Sequence, residues 1–246
     1  MTKIAVITGA NRGLGFAAAR TLGRSGVKVI VGARDAAKGT EAAERLRSEG
    51  LDAESLEIDV VSEASVREAA ERLEQDHGRV DILVNNAGIL PEATASDVER
   101  PLDLGMFRES FETNLFGAVS VTKELLPLLR RSASGRIVNV SSTMGSLSDQ
   151  TDPSSPYYGL IVPAYQTSKA ALNGLTVALS KALADTPIKV NSICPGWVRT
   201  DLGGPENRAA APTPADDAAR IVVEMALLPD DGPTGRFVDA DGSVPW

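Results

Sequence analysis

Histidine and cysteine are almost missing from these 246 residues: His77 is the only histidine and Cys194 the only cysteine. One cysteine makes no bridge within the chain, so stability must come from a buried core, as suits a reducing, cytoplasmic setting. One histidine argues against a histidine-dependent catalytic triad and against most zinc sites, and no metal is expected. Cations are outnumbered, with 25 Lys and Arg against 33 Asp and Glu, a net charge of −8. A nucleic-acid backbone needs clustered cations, so nucleic acid is not an expected partner. No run of 18 apolar residues occurs, and the apolar stretch at 4–8 stops at Gly9. Neither a membrane span nor a signal peptide is therefore expected.

What the chain does have is an alternation of short apolar runs and amphipathic stretches. Strand patterns lie at about 4–8, 27–31, 55–58, 80–84, 136–140, 188–193 and 235–238. Helical patterns fall between them at about 14–23, 35–50, 62–73, 107–131, 163–185 and 213–228, with Asp35 and Ser62 as N-caps. The apolar runs lack period-two alternation, as expected of strands covered on both faces. The order predicts an α/β fold, a single Rossmann-type domain over 1–246 with a doubly wound, mostly seven-stranded parallel sheet. The cofactor half would be about 1–140. Irregular stretches at about 89–105, 143–163 and 195–212 would wall a pocket.

Thr8-Gly9-Ala10-Asn11-Arg12-Gly13-Leu14-Gly15 joins the first strand to the first helix. Glycines there permit a tight turn and close approach of a pyrophosphate, and the helix start offers free N–H groups to the anion. The second strand ends in Gly32-Ala33-Arg34, where an NAD site would carry an acid. Arg34, joined by Arg12, suits a 2′-phosphate and so NADP(H). Asp35 competes as a ribose ligand but reads better as a helix cap.

Tyr165 and Lys169 stand four apart at the start of an Ala-rich helix. Positions i and i+4 share a face, so the ammonium is expected beside the phenol, favouring its ionised form. Alone this spacing is common by chance; the other motifs give it weight.

Taken in order, these motifs resemble the short-chain dehydrogenase/reductase family over nearly the whole chain. The Gly-rich turn matches its Thr-Gly-x-x-x-Gly-x-Gly pattern, and Asp59-Val60 its adenine contact. Asn86-Ala87-Gly88 follows the fourth strand, Asn114 and Ser142 match the catalytic asparagine and serine, and Tyr165 and Lys169 the active-site pair. Pro195-Gly196, with Val198 and Thr200, matches the segment beside the nicotinamide. The resemblance implies reversible hydride transfer between NADP(H) and a carbonyl or alcohol. It implies that Tyr165 protonates the alkoxide, and that Lys169 lowers the phenol pKa and holds ribose hydroxyls. Ser142, rather than Ser141, would orient the substrate oxygen, and Asn114 would hold a water.

Ser142 and Tyr165 are 23 positions apart, longer than in most of that family and similar to its carbonyl-reductase branch. An insertion across the helices around Asn114 and Tyr165 would obstruct a subunit interface, which favours a monomer. Leu90, Met144, Leu147, Tyr157, Tyr158, Trp197 and Leu202 are candidate pocket residues and suggest a hydrophobic ketone or aldehyde. Trp246 is expected to fold back over the body. Two alternatives stand beside this reading: a catalytically idle NADP(H)-binding regulator, and a biosynthetic tailoring reductase or epimerase of the same fold.

Overall fold

Eight strands form one sheet in the computed structural model, which describes residues 2–94 and 102–246. Its first half holds β1 (Ile4–Ile7), β2 (Lys28–Ala33), β3 (Ala53–Glu57) and β4 (Ile82–Asn85). The second holds β5 (Arg136–Val140), β6 (Lys189–Ile193), β7 (Phe237–Asp239) and β8 (Gly242–Ser243). The order is β3-β2-β1-β4-β5-β6-β7-β8, parallel throughout except between β7 and β8. Seven parallel strands are thus as expected, and β8 is an addition: two residues turning back along β7, too short to leave a pattern.

The helices are α1 (Gly13–Arg24), α2 (Ala36–Ser48), α3 (Glu63–His77), α4 (Leu104–Phe111) and α5 (Gly117–Leu129). They continue with α6 (Leu147–Thr151), α7 (Pro163–Ala182), α8 (Gly204–Ala210) and α9 (Ala215–Ala226). Successive side chains of one strand enter two different cores. Ile7 packs with α1, α2 and α9, while its neighbour Val6 packs with α3 and α5. Both faces being covered, every residue of β1, β4 and β5 is buried; β1 reads as an unbroken apolar run, while β4 and β5 also bury Asn85, Arg136 and Asn139.

The stretch at 107–131, expected as one long helix, is interrupted. A π-helical turn, Glu112–Phe116, separates α4 from α5. It inserts an extra residue into the helical register and buries Asn114. The irregular stretches also hold structure: a 3-10 turn Thr143–Gly145 and α6 in one, a 3-10 turn Asp201–Gly203 and α8 in another. Of the stretch at 89–105, residues 95–101 lie outside the described residues. Trp246 stacks on Phe237 at 5.6 Å, and its carbonyl accepts hydrogen bonds from the backbone and hydroxyl of Ser148 in α6.

Candidate active site

Strand order reverses between β1 and β4, and a crevice opens at their carboxyl ends. The turn after β1 and the segment after β4 are stitched together there. The Thr8 hydroxyl accepts the N–H groups of Asn86 and Ala87, both at 3.0 Å. The Asn86 amide donates back to the carbonyls of Thr8 (2.8 Å) and Gly9 (3.2 Å). Gly9 and Gly13 adopt φ of +63° and +57°, and a Cβ on Gly15 would lie 2.6 Å from the Gly9 carbonyl oxygen. Arg12, the N-cap of α1, makes no side-chain cap, so the first N–H groups of that helix face the crevice as anion donors. The Leu14 side chain is in the core, so its part is limited to the backbone.

Beside this turn lies a cleft of about 390 Å³ lined by Asn11, Arg12, Arg34, Asp35, Lys38, Glu41, Ala42 and Arg45. Arg34 is exposed and has no ion-pair partner among the described residues. Asp35 is already engaged: it caps α2 by accepting the Lys38 N–H at 3.1 Å, which holds its carboxyl below the usual range. The Asp59 carboxylate closes on the Val61 N–H at 3.2 Å, and Val60 packs where a Cβ on Gly117 would stand. The cleft and the uncapped helix start together fit a dinucleotide bearing an extra phosphate. Lys38 and Arg45, which sequence reasoning missed, bring the cations lining the cleft to four.

The π turn, the end of β5 and α7 bring Asn114, Ser142, Tyr165 and Lys169 together. The Asn114 amide clamps Ile89, accepting its N–H at 2.8 Å and donating to its carbonyl at 3.0 Å, and also donates to the Ser168 hydroxyl. Gly88 leaves room beside it: a Cβ there would meet the Asn114 oxygen at 3.3 Å and the Lys169 ammonium at 3.5 Å. Ser142 accepts the Met144 N–H at 3.2 Å, and its hydroxyl is near enough to the Tyr165 phenol to favour the ionised form. Ser141, by contrast, is buried and turned to the Lys169 carbonyl.

The expected electrostatics need correction. Burial raises the Tyr165 pKa well above its ordinary value, and the nearby Ser142 hydroxyl opposes this only in part. Lys169 lies 5.6 Å from the ring centroid and donates instead to the Val140 carbonyl at 2.8 Å. Burial pushes its own pKa down to about 8. Spacing places the ammonium by the ring, but desolvation of both groups outweighs their mutual effect.

The far wall is the loop after β6. Pro195 and Gly196 (φ +78°) begin it, Val198 bridges to Thr213, and Thr200 caps the turn at Asp201–Gly203. The Thr200 methyl lies 3.2 Å from where a Gly13 Cβ would be, so this loop touches the Gly-rich turn. Arg12 pairs with Asp201 across the same gap at 3.2 Å, and Arg208 holds Asp201 at 2.7 Å. Leu147, Tyr158, Trp197 and Leu202 are exposed, while Leu90, Met144 and Tyr157 are half-buried. Ser168, Asp201 and Glu92, whose carboxylate reaches the start of α7, also escaped the sequence.

Residues 3–211 match the family model described as short chain dehydrogenase. Carbonyl reductase [NADPH] 1 of Sus scrofa is 33% identical, over 100% of this chain and 94% of that protein. Salutaridine reductase of Papaver bracteatum is 32% identical, over 96% and 94%. Among solved structures, an NADPH-bound carbonyl reductase from chicken fatty liver superposes with a TM-score of 0.83 at 28% identity, covering 100% of this chain and 99% of that one. Among the described residues, no helix is long and apolar enough to cross a membrane.

Proposed function

The chain belongs to the short-chain dehydrogenase family, and from that premise we propose that it reduces a hydrophobic ketone or aldehyde to the alcohol, reversibly, with Tyr165 as acid and base. Its cofactor is NADP(H). Arg12, Arg34 and Lys38 supply cations for a 2′-phosphate at the end of β2, and Asp35 is spent on capping α2. Relatives that bind NADPH support the same choice. The Gly9–Gly15 turn and the start of α1 would hold the pyrophosphate, and Asn86, Ala87, Gly88 and the 195–200 loop would flank the nicotinamide. When bound, the nicotinamide supplies or accepts the hydride.

The observation that carries this reading is the meeting of Tyr165 with Ser142 at the crevice, beside Lys169. Ser142 would orient the carbonyl oxygen. A phenol whose pKa burial raises keeps its proton at neutral pH and so stands loaded to protonate a developing alkoxide. Lys169 carries its charge below pH about 8 and would stabilise the phenolate left behind. Asn114 holds the Ile89 backbone against α7 and so fixes the crevice floor.

Exposed Leu147, Tyr158, Trp197 and Leu202, on the segments that follow β5 and β6, support an apolar substrate. The insertion lies on α7 through Gln166, which donates to Gln150 and Leu160 and accepts from Val162, and this favours a monomer. The lone, buried Cys194 thiol supports a cytoplasmic setting. The test is NADPH consumption over a panel of aldehydes and ketones with Tyr165→Phe as control. The variant should turn over at least ~10²-fold more slowly. A nearly active variant would refute the assignment, and no consumption by the wild type would favour a regulator.

A further inference from the structure

Helix α7 starts without a local cap. Val162 makes no side-chain cap and Pro163 has no N–H, so the next free donors are the amides of Ala164 and Tyr165. Both are taken by one carboxylate from far away in sequence. Glu92, in the 3-10 turn Pro91–Thr94, accepts the Ala164 N–H at 2.6 Å and the Tyr165 N–H at 3.0 Å, one on each oxygen. Such bonds are charge-assisted and directional, and the carboxylate sits where the helix dipole favours negative charge.

The other end of the same segment is held by Asn114, which clamps Ile89 through both its N–H and its carbonyl. Residues 89–92 therefore form a short strap from the buried asparagine of the π turn to the backbone of the tyrosine. We infer that Glu92 is a positioning residue for Tyr165, fixing the first turn of α7 so that the phenol meets Ser142 and the substrate oxygen. It does not touch the reacting atoms. Its effect is on the aim of the proton donor, and small misplacements of such a group cost rate more than binding.

The inference rests on Tyr165 being the acid and base, so Tyr165→Phe is measured alongside. The test variant is Glu92→Gln, nearly the same in volume, whose amide nitrogen must confront an N–H where an acceptor stood. kcat should fall roughly 10-fold, with KM for the carbonyl and Kd for NADPH within about 2-fold of wild type. The primary isotope effect with 4-deuterated NADPH should grow, because chemistry becomes slower relative to release. Glu92→Asp should recover part of the rate. Unchanged kcat overturns the inference. So does a loss shared with cofactor binding at a constant isotope effect, or a Glu92→Gln protein that does not fold, since either makes the role structural. A nearly active Tyr165→Phe would sink the tyrosine assignment; an inactive one beside an unimpaired Glu92→Gln sinks this inference alone.

Discussion

The Lys169 ammonium is buried and donates a 2.8 Å hydrogen bond to the backbone carbonyl of Val140, the last residue of β5. One neutral acceptor does not replace the water removed from a charge, so its pKa falls to about 8. Below pH 8 the folded and unfolded chains both hold the proton. Between pH 8 and about 10.4 only the unfolded chain does, so stability should rise with pH across that window. Tyr165 and Cys194, whose pKa values burial raises, contribute the opposite slope once their unfolded forms ionise. The comparison that isolates the lysine is Lys169→Met. In denaturant unfolding without added nucleotide, wild type should gain roughly 2–3 kcal/mol on the variant between pH 8 and 10. Parallel pH curves for the two proteins would mean the ammonium is better solvated than its burial implies.

Arg34 stands exposed at the end of β2 with no ion pair among the described residues, lining the same cleft as Arg12 and Lys38. A guanidinium without a protein partner loses little when it binds phosphate. Arg34→Ala should weaken NADPH binding by roughly 10-fold or more and leave NADH within about 2-fold. Fluorescence titration with both nucleotides reads this directly. Equal losses for the two would place Arg34 on the shared part of the dinucleotide.

Arg12 faces a competition that Arg34 does not. It lines the cationic cleft, yet it pairs with Asp201 across the crevice. Both partners are well exposed, so the pair is weak, about 0–1 kcal/mol, and easily exchanged for a phosphate. Asp201→Asn should tighten NADPH binding severalfold at low salt, with little change for NADH, and the gain should shrink as ionic strength rises. Weaker NADPH binding in the variant would show instead that Asp201 holds Arg12 in its working position.

Much of this was legible in the sequence because it is local. The Gly-rich turn, the buried strands and the Tyr165–Lys169 spacing are patterns of neighbouring residues, and each element formed near its expected place. The π turn at Glu112–Phe116 was not legible, since one extra residue leaves helical periodicity almost intact. Nor was the raised phenol pKa: spacing tells which charge is near, but burial is a property of the whole fold. Glu92 escaped for a related reason. Its bond to Tyr165 spans 73 residues, and an acid in an irregular stretch carries no local signature.

Two glycines that face α7 differently give a paired prediction. A Cβ on Gly145 would lie 2.7 Å from the carbonyl carbon of Lys169 and 2.8 Å from the Ala170 nitrogen. Those are backbone atoms in mid-helix and cannot step aside, so Gly145→Ala must push the Thr143–Gly145 turn off the helix, carrying Ser142 away from Tyr165. The strain should cost about 1–3 kcal/mol, and kcat should drop on the order of 10-fold or more as the serine loses its aim. Gly174, on α7 itself, is exposed, and a Cβ there would have no neighbour within 4 Å outside its own helix backbone. There alanine meets no obstacle and gains helix propensity of up to about 1 kcal/mol, so Gly174→Ala should raise Tm by roughly 2–4 °C with kcat unchanged. Thermal melts and turnover of the two variants separate close packing against the site from helix composition. A Gly145→Ala enzyme as stable and active as wild type would mean the turn can shift without moving Ser142.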